Sequence, residues 1–212
     1  MFPEMTTSLA VVTALGAFHG INPGMGWLFA VALGMQERRR AAVIRALLPL
    51  GAGHALAVAA AIAVALLLGA AVPLAWLRVL VGASLIAFGG LRMARHRHPR
   101  WASMRVGMAT LTGWSFLMAT AHGAGLMVVP VFLGMSAAMA GPACHQAMPA
   151  ASVWPALAAT GLHASGYLAV TGVVALLVFE KLGVGVLRRA WFNLDVVWAL
   201  ALVATGAVTL WL

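Results

Sequence analysis

Long apolar stretches recur along this chain, and each is long enough to cross a lipid bilayer as a helix. A hydrocarbon core of about 30 Å requires about 20 apolar residues per span. Only 8% of the 212 residues are charged and 64% are hydrophobic, whereas a soluble domain has roughly 25% charged residues. The sequence therefore predicts an all-α membrane protein, a single membrane domain over 1–212, with six spans at approximately 7–34, 44–69, 73–92, 107–138, 152–179 and 191–212.

The first and fourth stretches are longer than a straight span requires, and both contain proline and several glycines. In the first, Asn22-Pro23-Gly24 interrupts an otherwise apolar run. Proline removes a backbone donor from a helix, and a broken helix is tolerated in a bilayer only where protein or a water-filled cavity covers it. We therefore expect these two spans to be tilted or broken.

Basic residues concentrate in three short segments between the apolar stretches. The segments QERRRAAVIR, RMARHRHPRWASMR and EKLGVGVLRR alternate with loops that are almost uncharged. Cytoplasmic loops of membrane proteins carry an excess of Lys and Arg. We therefore expect the three segments in the cytoplasm and both termini outside, in a multi-pass protein of the bacterial inner membrane. Because the charge follows the topology, lipid is the expected partner and nucleic acid is not.

The two halves of the sequence resemble each other weakly. Three successive stretches within about 7–92 align with three within about 107–212, which places His19 opposite His122 and His54 opposite His163. Each half has three spans, an odd number, so the second half must cross the bilayer in the opposite sense. The sequence thus predicts an inverted repeat, in which binding sites lie near the bilayer midplane between the halves.

The four aligned histidines are expected at a common depth. Each lies about 11–15 residues into its span, which at 1.5 Å per residue is roughly half of the bilayer. Ionisable residues inside membranes usually face a cavity or a substrate path, and neutral imidazole is the commonest metal ligand. Imidazole suits copper, nickel, zinc or iron. We therefore predict a transition-metal site formed by His19, His54, His122 and His163.

Other side chains are candidates for completing this site or lining the path to it. They comprise an amide, three thioethers and the one acid that lies within a span: Asn22, Met25, Met118, Met127 and Asp195. A thioether ligand favours Cu(I). In the loop before the fifth span, GPACHQAMP offers a thiol, an imidazole and a thioether for capturing a soft metal from outside: Cys144, His145 and Met148.

The stretch HGINPGM, residues 19–25, resembles the first-helix signature of the nickel/cobalt efflux permeases, in which a histidine is followed by a short turn and then Pro-Asp-His. Those proteins belong with the lysine exporters to a superfamily of six-span proteins built as two three-span repeats. His19 matches the first histidine and Pro23 the proline, while Gly24 and Met25 replace the aspartate and the second histidine. The resemblance implies an inner-membrane exporter of a small cation or solute, and these replacements favour Cu(I) over nickel and cobalt.

Three functions are compatible with these features. The first is a transporter, most simply an exporter and not an enzyme, that moves a soft or borderline transition metal by alternating access between the repeats. One alternative is a redox or metallocofactor protein whose histidines hold a b-type haem or a permanent copper or iron centre. A second alternative is a proton-coupled exporter of small organic solutes. A homo-oligomer is compatible with all three.

Overall fold

The computed structural model describes residues 2–94, 107–140, 153–182 and 194–211, and almost all of these residues belong to helices. A 3₁₀ helix at Pro23–Met25 joins the first two helices, and a π-helical turn at Val178–Leu182 extends the seventh. In chain order the helices are α1 Phe2–Ile21, α2 Trp27–Glu37, α3 Arg40–Gly69, α4 Leu74–Ala94, α5 Met108–Ala121, α6 Ala124–Ala140, α7 Val153–Leu177 and α8 Leu194–Trp211.

Several of these helices are long and apolar enough to cross a bilayer. Helix α3 has 30 residues, α4 has 21, and α7 with its π-helical turn has 29 up to Lys181. Helices α5 and α6 form a fourth apolar unit that is bent by 65° at the turn between them. Shorter apolar helices occupy Thr6–Ile21 and Val196–Trp211. The chain is thus helical, with several segments of the length that a multi-pass membrane protein requires.

The helix is interrupted in both of the stretches that were expected to be tilted or broken. In the first, Asn22 has an extended backbone, and its side-chain oxygen accepts a hydrogen bond from the Gly24 N–H at 2.9 Å, which caps the 3₁₀ helix. Gly26 follows at φ +141°, a conformation that side chains strongly disfavour. In the second, His122 and Gly123 form the turn between α5 and α6. The expected breaks are confirmed.

Helix packing brings the histidine-bearing helices together. Helix α1 packs along α7, α3 packs along α5, α4 packs along α8, and α3 also contacts α7. At Gly16 the backbones of α1 and α7 approach so closely that a Cβ would overlap the carbonyl oxygen of His163. Small residues at helix contacts permit this approach in membranes. As a result α1, α3 and α7 meet around one point in the interior.

Two ion pairs mark one end of the helix assembly. Arg40 at the start of α3 lies 3.2 Å from Glu180 in the π-helical turn that follows α7, and Arg45 lies 2.6 Å from Glu37 at the end of α2. Both pairs are exposed, and such pairs contribute little to stability. They nevertheless show that the α2–α3 connection and the end of α7 lie on the same side of the protein.

Candidate functional site

Three of the four predicted histidines lie side by side in the interior, one each from α1, α3 and α7. The ring centroid of His19 lies 5.7 Å from that of His54 and 5.1 Å from that of His163, and the last two are 5.2 Å apart. None of the three is accessible to solvent. We refer to His19, His54 and His163 as the histidine triangle.

Two rings of the triangle are held by backbone carbonyls. The Nδ1 atom of His19 lies 2.7 Å from the Leu15 oxygen, and that of His163 lies 3.2 Å from the Val12 oxygen. A carbonyl only accepts hydrogen bonds, so Nδ1 carries the proton and Nε2 carries the lone pair. Neither Nε2 atom has a hydrogen-bond partner among the described residues. Metal-binding histidines show this arrangement, in which one nitrogen donates to an oxygen and the other is left for the metal.

The third ring is held differently. Both ring nitrogens of His54 are buried and have no hydrogen-bond partner in the described part of the chain. Its ring instead stacks on that of Tyr167, with centroids 3.9 Å apart and an interplanar angle of 5°. An unsatisfied buried polar group costs about 1–3 kcal/mol. Among the described residues, four imidazole nitrogens of the triangle are thus buried without a hydrogen-bond partner. A bound cation could take up three of them, the one lone pair of each neutral ring.

The spacing of the triangle suits a single metal ion, although the ring orientations do not yet provide a ligand set. With metal–nitrogen bonds of about 2 Å, three tetrahedrally placed imidazoles have centroids roughly 5 Å apart. The His54 and His163 rings, however, are nearly parallel, at 7°. Within the described ranges, no three His, Cys, Asp or Glu side chains are arranged to hold a metal ion. Metal binding therefore requires a ring to turn, and His54 is the ring that no hydrogen bond restrains.

A b-type haem does not fit between these rings as they stand. Two axial imidazoles face each other across the macrocycle, with centroids about 6 Å apart for bonds of about 2 Å on each side. Each pair in the triangle is closer than this, and the third ring contacts both members of the pair. The space that a macrocycle would need is thus filled by imidazole.

His122 is connected to the triangle by the side chain of a tryptophan that contacts both. It ends α5, is buried, and donates from Nδ1 to the Met118 carbonyl one turn earlier, at 2.8 Å. Its ring contacts Trp198 of α8 with centroids 6.1 Å apart, and Trp198 also packs on His19 at 4.6 Å. The four predicted histidines are therefore grouped as three in mutual contact and one across an indole. Sequence reasoning missed Trp198, which the repeat alignment did not single out.

Tyr167 is the second residue that sequence reasoning missed. Its hydroxyl donates to the Met25 carbonyl at 2.6 Å, and its ring stacks on His54 as described. It is the chain's single tyrosine and lies four residues after His163 on α7. Residues four apart share one helix face. That spacing is the signal that could have placed Tyr167 in the site.

The remaining candidate ligands have other surroundings or lie outside the described residues. The Asn22 side chain caps the 3₁₀ helix, as described above. Met25 and Met127 are buried in the main apolar core, and Met118 packs against it. Asp195 belongs to the first turn of α8, but its side chain lies outside the described part. The proposed outer capture group also lies outside the described residues and stays a prediction: Cys144, His145 and Met148.

Comparison of the chain with family models, with curated proteins and with solved structures found no match in any of the three. A function must therefore be argued from the geometry and chemistry of the site.

Proposed function

We propose that this protein is a membrane transporter that moves a soft or borderline transition-metal ion through the histidine triangle. The observation that carries the proposal is the meeting of three buried imidazoles from three helices, with four ring nitrogens that have no hydrogen-bond partner in the described part of the chain. Intramembrane ionisable groups usually line a substrate path. Imidazole nitrogens suit copper, nickel, zinc or iron, whereas magnesium and calcium require oxygen ligands.

The proposal includes six spans arranged as two inverted repeats, about 7–92 and 107–212. In this arrangement α1 with α2 corresponds to α5 with α6, α3 to α7, and α4 to α8. If each helix is replaced by its counterpart in the other half, the α1–α7 contact becomes the α5–α3 contact, which is also present. The α3–α7 contact and the α4–α8 contact each join a helix to its own counterpart, so the replacement leaves them unchanged. Both broken spans also break at or just after an aligned histidine, His19 or His122. These correspondences support a common ancestor for the two halves.

The orientation with both termini outside is supported by charges and tryptophans. The Arg40–Glu180 ion pair joins two of the basic segments at one end of the helices, which we take as the cytoplasmic end. Trp76 and Trp154 lie in the first turns of α4 and α7, and Trp211 ends α8. All three are highly exposed. Tryptophans at helix ends anchor membrane proteins at the bilayer interface, here the outer one.

The proposed alternating-access mechanism rests on the fact that both repeats contribute rings to the triangle. His19 and His54 belong to the proposed first repeat and His163 to the second, so any movement of one repeat against the other changes the triangle. All three rings are buried, which corresponds to an occluded state. The resemblance to efflux permeases favours export. Because the Met25 side chain lies in the apolar core, the choice between copper, nickel and zinc rests on the binding test.

The proposal is tested by metal binding and transport of the purified full chain. In lipid nanodiscs, equilibrium dialysis against Cu(I), Ni(II) or Zn(II) identifies the metal, and proteoliposomes measure its transport. We expect His54→Ala and His163→Ala each to weaken binding at least about tenfold, the loss of one ligand, and to abolish transport. Thr209→Val is the matched control, because it removes a buried polar group that is not a candidate ligand. Normal binding and transport in the His54→Ala/His163→Ala double variant would exclude this function, and a haem absorption band would favour the redox alternative.

A further inference from the structure

We infer that Tyr167 couples occupancy of the histidine triangle to movement of the first helix break, the segment from Asn22 to Gly26. This inference rests on the proposed function and assigns a positioning role to a residue that binds no metal itself. One side chain of α7 contacts both the least restrained ring of the triangle and the backbone of the broken span.

The first contact of Tyr167 determines how His54 is held. His19 and His163 are each oriented by a hydrogen bond to a carbonyl oxygen, whereas His54 has no such bond among the described residues. The aromatic stack on Tyr167, at 3.9 Å and 5°, supplies the orienting contact instead. Stacked aromatic pairs have a preferred geometry and favourable energy. Tyr167 therefore fixes the orientation of His54, and in this orientation the His54 ring is nearly parallel to that of His163.

The second contact fixes the tyrosine to the helix break. The hydroxyl donates to the carbonyl of Met25, the last residue of the 3₁₀ helix, at 2.6 Å in a fully buried environment. The hydroxyl also lies against Gly26, where an added Cβ would stand only 2.9 Å from it. Because the phenol is a rigid plane, a displacement at its hydroxyl end is transmitted to the ring that supports His54.

These contacts together provide a mechanical link between ion binding and opening of the path. The His54 and His163 rings are nearly parallel and must reorient to ligate one metal. When His54 turns toward the ion it leaves the tyrosine stack, and the hydroxyl bond transfers the resulting shift of Tyr167 to the broken span. Such a link needs an element with two discrete arrangements, and we assign this part to the break at Asn22–Gly26, which joins α1 to α2.

The test separates the ring of Tyr167 from its hydroxyl. Binding and transport are measured for Cu(I), Ni(II) and Zn(II), each alone, with full-length protein in nanodiscs and proteoliposomes. Tyr167→Phe keeps the stack and removes the hydroxyl that bonds Met25 and lies beside Ser115 and Thr171. We expect a Kd within about threefold of wild type and a transport rate reduced roughly fivefold or more, the effect of losing a buried hydroxyl's hydrogen bonding. Tyr167→Leu also removes the stack that His54 must leave to bind the ion, so we expect slow transport again but a Kd roughly fivefold lower than that of Tyr167→Phe.

Thr209→Val is the matched control. It removes a buried hydroxyl that donates to the Thr205 carbonyl at 2.7 Å within α8, and it nearly preserves side-chain volume. We expect this variant to bind and transport like wild type. A Tyr167→Phe variant that transports like this control would overturn the inference and leave the proposed function intact. Equal Kd values in Tyr167→Phe and Tyr167→Leu would also overturn it. A wild-type protein that binds none of the three ions would reject the proposed function itself.

Discussion

The two helix breaks of this protein look alike in sequence position but are held in different ways. At the first break the Trp27 indole donates to the Ile21 carbonyl at 2.9 Å, and Tyr167 of a distant helix donates to Met25. At the second break the hydrogen bonds that the structure describes are local: the His122 N–H and Nδ1 both reach the Met118 carbonyl, and the Gly123 N–H reaches Thr120. The first break thus adds a hydrogen bond from a distant helix, α7, to its own backbone bonds.

This difference indicates which break can respond to changes at the histidine triangle. A hydrogen bond from another helix makes the position of a break depend on that helix, and coupling between sites requires such a dependence. The second break contacts α8 through His122 and Trp198, but no hydrogen bond among those described joins it to another helix. If the protein transports metal as proposed, we therefore assign the larger movement to the first break rather than to the 65° bend between α5 and α6.

The largest expected effect comes from adding a methyl group at each break in turn. Gly26→Ala places a Cβ at φ +141°, 2.8 Å from a Leu50 methyl carbon and 2.9 Å from the Tyr167 hydroxyl. Backbone strain and overpacking each cost about 1–3 kcal/mol, so we expect a loss of about 3 kcal/mol in the free energy of unfolding. The change is measured by reversible denaturation in mixed detergent micelles.

Gly123→Ala provides the matched substitution at the second break. Gly123 has φ +72°, a left-handed conformation that costs other residues about 1–2 kcal/mol. The nearest obstacle is a terminal carbon of the Leu202 side chain, which can move. We therefore expect a smaller loss than for Gly26→Ala. An equal or greater loss in the free energy of unfolding would contradict the view that side chains from other helices pack more closely around the first break than around the second.

An intermediate effect is expected from the polar side chain that caps the first break. Asn22→Ala removes the bond to the Gly24 N–H and leaves that donor unsatisfied in a half-buried position. Loss of such a cap costs about 1 kcal/mol. At the second break, Thr120→Val removes a hydroxyl that bonds the Phe116 carbonyl within its own helix on an exposed surface, and we expect little change. If Thr120→Val lowered the melting temperature more than Asn22→Ala does, the second break would be the one that depends more on a polar side chain.

The smallest effect should come from a residue that touches neither break. Glu180→Gln removes the charge partner of Arg40 in an exposed ion pair of 3.2 Å. Exposed pairs contribute about 0–1 kcal/mol and are screened by salt. The free energy of unfolding, measured at low and at high salt, should therefore differ little between this variant and wild type. A loss as large as that of Asn22→Ala would mean that this end of the helices contributes more to stability than the first break does.

Much of the fold could be predicted because the bilayer restricts it so strongly. Apolar length located α3, α4 and α7, and proline and glycine located both interruptions. The weak repeat brought attention to His19, His54 and His163, which do meet. These features depend on local composition and spacing, which the sequence displays directly.

The details of the site could not be predicted, because they depend on how helices rotate against one another. The alignment paired His122 with His19, but it gave no indication that the Trp198 indole of α8 packs against both rings. Asn22 was expected to offer its amide to an ion, and it caps the turn instead. Met25 contributes a backbone oxygen to Tyr167, while its side chain fills the core. Helical periodicity does not specify such side-chain partners.

The most direct test of the central claim is X-ray absorption spectroscopy of the purified protein after loading with Cu(I), Ni(II) or Zn(II) and removal of unbound metal. The account predicts a bound ion with imidazole scattering from three nitrogens at about 2 Å, and the loss of one such scatterer in His54→Ala. A spectrum without imidazole scattering, or one that is the same in wild type and in His54→Ala, would contradict the claim that the histidine triangle holds the transported ion.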